Sequence, residues 1–173
     1  MDGNRNFIPV RIAVLTVSDT RDFGNDLSGD RLVELIEAAG HRVMVRALVR
    51  DEVPEIEEYL RRWVEDADLD VVISTGGTGI TGRDVTPEAF YRVMEREIQG
   101  FGELFRMLSF AKIGPSTMQS RAVGGICKGK YLFALPGSPG AVRDAWEDIL
   151  VHQLDYRSLP CNLVELMPRL RER

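Results

Sequence analysis

The stretch TGGTGITGRDVTPEA, Thr75–Ala89, decides how the chain is read. Before it runs DVVIST (70–75), apolar through its centre, as a strand covered on both faces requires. At its end, Thr86-Pro87-Glu88 has the form of a helix start, with Thr as N-cap, Pro at the first helical position and an acid in the first turn. The stretch is therefore a strand-to-helix connection. Gly77, Gly79 and Gly82 satisfy G-x-G-x-x-G, and residues 77–84 nearly spell a phosphate loop, with Arg83 and Asp84 standing where Lys and Ser or Thr belong.

Neither pattern fits its context. In a dinucleotide fold the third glycine packs inside the helix, but here the helix starts at Thr86, after Gly82. An acid is also expected at the end of the next strand, about 20 residues on. Glu97 and Glu103 lie near that spacing in helical sequence, and the loop follows the third strand, not the first. As a phosphate loop, Asp84 would set a carboxylate against phosphate oxygens, and Arg83 is no simple substitute for lysine.

The physical content survives. Gly76, Gly77 and Gly79 let backbone N–H groups approach an anion, Thr75 and Thr78 add hydroxyl donors, and the helix at Thr86 adds partial positive charge. The plainer alternative is a tight turn that merely needs glycine. Asp84 either caps a backbone N–H in that turn or stands beside phosphates with a cation between, Mg²⁺ being the usual one. Asp51, after the preceding strand, is a second carboxylate for that cation or simply the N-cap of the next helix.

Working outward, RIAVLTV (11–17) reads as a buried strand, 28–39 as a helix stopped by Gly40, and 42–49 as a second strand. A helix follows from Glu52 to about Asp66 with Asp51 as its cap, and another from Thr86 to about Glu97. Residues 102–111 read as helix, 121–127 and 131–135 as two strands, and 139–154 as a long final helix. The tail 155–173 has no clear assignment. Alternating strand and helix over 173 residues gives one α/β domain of three layers with a mostly parallel sheet. Four polar loops then follow strand ends: 16–19, 50–51, 75–84 and 136–139. In such sheets ligands bind outside the carboxyl ends of the strands, so the four should share one edge. Pro136-Gly137-Ser138-Pro139 is a rigid turn in which Ser138 caps the final helix and borders a second anion site, or only turns the chain.

The composition sets limits. A net charge of −5 argues against broad nucleic-acid binding, which needs a basic surface. Lys112, Arg121, Lys128 and Lys130 are candidates to balance an anionic ligand, or are ordinary surface charges. Cys127 and Cys161 form no CxxC and read as plain thiols; His41 and His152 read as structural or exposed. MDGNRNFIP has no apolar core of a signal peptide, and no apolar run approaches about 18 residues, so the expectation is a cytoplasmic protein with no membrane span.

Taken together, TGGTG (75–79), RDVTPEA (83–89), GFGE (100–103), Ser120-Arg121 and LPGSP (135–139) resemble the molybdopterin-binding family (MogA/MoaB). VSDTR (17–21), DLSG (26–29) and the tail YRSLPCN (156–162) are similar to its MoaB branch, and the likeness spans roughly residues 10–155. The resemblance implies a three-layer α/β/α sandwich, a homotrimer or homohexamer, and work in molybdenum cofactor biosynthesis. It implies molybdopterin as substrate, adenylylated with Mg²⁺ and ATP, and other molybdenum-cofactor enzymes as partners. By motif, the catalytic pair maps onto Asp84, which is also the candidate Mg²⁺ ligand, and Asp51. Thr16, Ser18, Thr75, Gly76, Gly77, Thr78, Gly79, Arg83, Ser120, Arg121, Pro136, Gly137 and Ser138 map onto the binding cleft. A pterin-binding oligomer without turnover is the alternative.

Overall fold

Six strands form one sheet in the order β2-β1-β3-β6-β5-β4 in the computed structural model, which describes residues 5–172. Residues 1–4 and 173, the ends of the N-terminal stretch and of the tail discussed above, lie outside the described residues. β1 (Arg11–Val17), β2 (Arg42–Val49), β3 (Val71–Thr75) and β6 (Lys130–Leu135) are parallel; β5 (Val123–Cys127) and β4 (Arg96–Glu97) complete an antiparallel flank.

The two-residue period of a strand divides the apolar runs between two cores. Ile12, Val14, Val71, Ile73, Tyr131 and Phe133 face one side, under α1 (Leu27–Ala38), α4 (Gln99–Ile113) and α5 (Pro139–Ala145). Ala13, Leu15, Val17, Val72, Leu132 and Ala134 face the other, under α2 (Val53–Glu65) and α3 (Thr86–Val93). The result is three layers, helix on sheet on helix. α5 continues through a π turn (Trp146–Leu150) into α6 (Val151–Gln153), so the long final helix is present with one widened turn. In the tail, Asn162 caps the short α7 (Leu163–Leu166) through the Glu165 N–H at 2.9 Å.

Several boundaries differ from the sequence reading. α3 stops at Val93, and Arg96–Glu97 pairs with β5 instead of extending the helix. Glu95 donates to the Ile126 carbonyl at 2.8 Å and Ile98 to that of Gly124 at 2.7 Å, and a Cβ on Gly125 would lie 2.9 Å from the Arg96 carbonyl oxygen. Gly125, opposite Glu97, leaves room for this pairing. α4 begins at Gln99, earlier than 102, and ends at Ile113. Asp51 does not cap α2: Glu52 holds that position without a side-chain bond. Thr86 lies just inside α3, and its hydroxyl donates to the Gly76 carbonyl at 2.9 Å instead of capping the helix. Gly40 stops α1 as read, with φ of +86°. Among the described residues, no helix is long and apolar enough to cross a membrane.

Candidate functional site

The parallel strands end in register. Thr16 pairs with Thr75, Thr75 with Leu135 and Val17 with Val49, so the four polar loops emerge along one edge. Backbone contacts then lock loop to loop. Gly76 donates to the Leu135 carbonyl at 3.0 Å, the Thr75 hydroxyl to Pro136 O at 3.0 Å, and Ser18 N–H to Val49 O at 2.8 Å. Gly76 has a φ of +107°, and a side chain there would collide with the Val17 carbonyl oxygen. Only glycine combines that dihedral with that approach.

Both candidate carboxylates stand against the same loop. A Cβ on Gly77 would lie 2.6 Å from Asp51 Oδ1, and one on Gly79 would lie 2.7 Å from Asp84 Oδ2. A concavity of about 370 Å³ opens there, bounded by Gly77, Thr78, Gly79 and Asp84 on one side and by Gln119, Ser120 and Pro136–Ser138 on the other. Gln119, the last residue of a 3₁₀ turn (Gly114–Gln119), is a lining residue that the sequence reading missed. Nothing in its local sequence marks it, apart from preceding Ser120-Arg121.

The electrostatics of the two acids differ. Burial pushes the Asp84 carboxyl up, but the Thr81 hydroxyl at 2.6 Å and the N–H groups of Thr81 and Gly79 outweigh it and hold the group below the usual range. Burial pushes the Asp51 carboxyl up as well, and there the charges of Asp19 and Asp84 add to the shift. The charge of Asp84 works against ionisation of Asp51, and a cation near both would relieve it. Among the described residues, no three His, Cys, Asp or Glu side chains converge on one point. Mg²⁺ therefore fits these residues if phosphate or water oxygens complete its shell, as is usual for that ion.

Not every residue read as lining the cleft does so. Thr16 is fully buried and its hydroxyl donates to Asp26 at 2.5 Å, so it braces the edge from below. The Thr75 hydroxyl is engaged by Pro136, as above. The Ser18 hydroxyl accepts from the N–H groups of Thr20 and Arg21 and shapes the β1–α1 loop. Arg83 points outward, its side chain 58% exposed, and its guanidinium pairs with Asp19 at 2.8 Å and Glu52 at 3.0 Å. The Arg121 guanidinium is engaged by loop carbonyls and Glu88. Lys112 pairs with Asp144 and Asp148, while Lys128, in the β5–β6 turn, and Lys130, at the start of β6, sit at the opposite edge of the sheet. Lys128 pairs there with Glu65 beside a second concavity of about 450 Å³, whose acids and bases largely neutralise one another. His41 is buried, its Nδ1 accepting from Val10 N–H at 3.1 Å, and His152 is exposed, as read.

Residues missed by the sequence reading hold the edge together. Arg21 donates to the Gly137 carbonyl at 3.0 Å and to Ser28 Oγ at 2.5 Å. Asp26, wholly buried, caps α1 through Gly29 and pairs with Arg46 at 2.7 Å. Their only sequence signal is membership of VSDTR and DLSG.

Residues 13–156 match the family model described as "Probable molybdopterin binding domain". The chain is 49% identical over 156 residues to molybdenum cofactor biosynthesis protein B of Escherichia coli (strain K12), covering 90% of this chain and 92% of that protein. It is 45% identical over 148 residues to the protein of the same name from Bacillus cereus, covering 85% and 88%. A crystal structure of a molybdenum cofactor biosynthesis protein B superposes with a TM-score of 0.87 at 40% identity, covering 98% of this chain and all of that one. With nearly its whole length matched in sequence and in fold, the chain belongs to the molybdopterin-binding domain family that these molybdenum cofactor biosynthesis proteins share.

Proposed function

We propose that the chain acts in molybdenum cofactor biosynthesis by adenylylating molybdopterin with Mg-ATP. The observation that carries this reading is the placement of Asp51 and Asp84 against Gly77 and Gly79, two glycines that line the cleft. In the reaction, the terminal phosphate oxygen of molybdopterin bonds to the α-phosphorus of ATP. The bond from that phosphorus to the bridging oxygen breaks, and pyrophosphate leaves with the electron pair. The chain supplies position and charge. The 77–79 loop borders the space for the phosphates, and Ser120 and Ser138 border the same space. Asp84 is ionised at neutral pH and lines the cleft, so it is the better placed of the two acids to hold Mg²⁺. Bound Mg²⁺ offsets the negative charge that builds up between the two phosphates.

The test is incubation of the purified protein with molybdopterin and Mg-ATP. AMP-linked pterin above background is expected, and its absence would leave a pterin-binding oligomer without turnover. Asp84→Asn is expected to lower turnover by ~100-fold or more while pterin binding persists; unchanged turnover would remove Asp84 from the mechanism. Self-association belongs to the same proposal. The outward face of α4 exposes Leu104, Met107, Phe110 and Ile113, an apolar stripe that a homotrimer or homohexamer would cover. A monomer mass by light scattering at micromolar concentration would count against it.

A further inference from the structure

We propose that Arg121 is a positioning residue, which makes the glycine loop receptive to anions by drawing its carbonyl groups to the side away from the cleft. The inference rests on the reading of the cleft as a phosphate site. Arg121 lies just before β5, behind the loop. Its own N–H donates to the Thr78 carbonyl at 2.9 Å. Its Nε donates to the Gly79 carbonyl at 2.6 Å, its Nη2 to the Asp84 carbonyl at 2.5 Å, and its Nη1 pairs with Glu88. One residue thus collects three carbonyls from a seven-residue loop and uses the planar fork of the guanidinium to do so.

The consequence follows from peptide geometry. A trans peptide is planar, so its C=O and N–H point in opposite directions. Holding the carbonyls of Thr78, Gly79 and Asp84 on the Arg121 side turns the N–H groups of Gly79, Ile80 and Val85 the other way. Gly79 N–H does meet the Asp84 carboxylate, which borders the cleft. The loop also borders two concavities, which share Asp84. Arg121 borders a concavity of about 360 Å³ with Ile80, Thr81 and Glu88, and it does not line the cleft on the Gly77–Ser138 side. A carbonyl left free to turn inward would place a partial negative charge where a phosphate must sit. Arg121 prevents this without touching the ligand.

The experiment uses the whole chain and Mg²⁺-pyrophosphate as probe. Calorimetry measures binding, and hydrogen exchange of the Gly79 and Thr81 amides in the free protein reports the loop. Arg121→Ala is expected to weaken binding by about 10- to 100-fold, the usual effect of removing an outer partner, and to speed exchange of both amides before any ligand is added. Free guanidinium should restore both. Arg121→Lys keeps the charge but not the fork, so it should behave like Arg121→Ala; it carries the test if the alanine variant does not fold. Glu88→Gln should leave both readouts near wild type, because it spares the carbonyl bonds. Weakened binding with unchanged loop exchange would make Arg121 a direct ligand contact and overturn the proposal, as would unchanged binding. A wild-type chain that binds no Mg²⁺-pyrophosphate would reject the phosphate reading itself, and the proposal with it.

Discussion

Asp26, in the loop after β1, and Asp51, after β2, belong to the same sheet edge, yet their surroundings are opposite. The Asp26 carboxylate is fully buried and receives four donors: Thr16 Oγ1 at 2.5 Å, Arg46 Nη2 at 2.7 Å, Gly29 N–H at 3.0 Å and Ser28 Oγ at 3.3 Å. Burial pushes this group up, but the bonds from Thr16, Arg46 and Gly29 overcome it and hold the carboxyl below its usual range. Asp51 receives one backbone N–H, that of Asp19, and faces the charges of Asp19 and Asp84. A buried charge with its partners in place is scaffold. A half-buried charge among like charges is one the fold would shed, and sites of chemistry are where such groups are kept.

The contrast is broken most directly at Asp26. Asp26→Ala leaves Arg46 without its buried partner and the Thr16 hydroxyl without an acceptor, so it should cost about 3–5 kcal/mol of stability in urea unfolding. A loss below about 1 kcal/mol would show that this network is not the frame of the edge. Wild-type stability should also carry a matching acid limb. Because folding depresses this pKa, the contribution is fully present above the ordinary value of 3.8 and is lost as pH falls below it; the variant should lack that limb. Thr16→Val removes one hydrogen bond to a charged group and should cost about 2 kcal/mol. Because Thr16 does not reach the cleft, turnover of the folded variant should match wild type. A selective loss of turnover would return Thr16 to the binding surface.

What the sequence makes legible divides along the same line. Continuous apolar runs expose β1, β3 and β6, and Pro87 and Gly40 punctuate their helices locally. β4 is two charged residues long, so no pattern announces it. At the site, the glycine cradle and Asp84 are visible because they lie within one loop. The work of Arg21, Arg83 and Arg121 is not, since their partners are 116, 64 and 42 residues away. Each of the three shows only as a cation near a motif. Whether it meets a ligand or a carbonyl depends on which turns the sheet brings together. The same limit explains the two hydroxyls. Thr75 reads as a free donor beside the cradle and Thr16 maps by resemblance onto the cleft, until long-range pairing engages them with Pro136 and Asp26.

Asp51 supplies the smallest effect and the sharpest sign. Folding raises its pKa, chiefly by burial and then through Asp19 and Asp84, so the ionised form is the one the folded state disfavours. The penalty is absent below the unfolded value of 3.8, where the group is protonated in both states, and grows as pH rises through the folded pKa. Asp51→Asn should therefore stabilise the chain at neutral pH by up to about 1 kcal/mol, the scale of relieving an unfavourable charge. The gain over wild type should shrink as pH falls toward 3.8. Adding Mg²⁺ should narrow the gap at neutral pH, because a cation between Asp51 and Asp84 stabilises only the chain that keeps both charges. A variant that is less stable than wild type at neutral pH would place Asp51 with Asp26, as part of the frame. A variant that is more stable but turns over less would show that this acid is kept for the chemistry and at the expense of the fold.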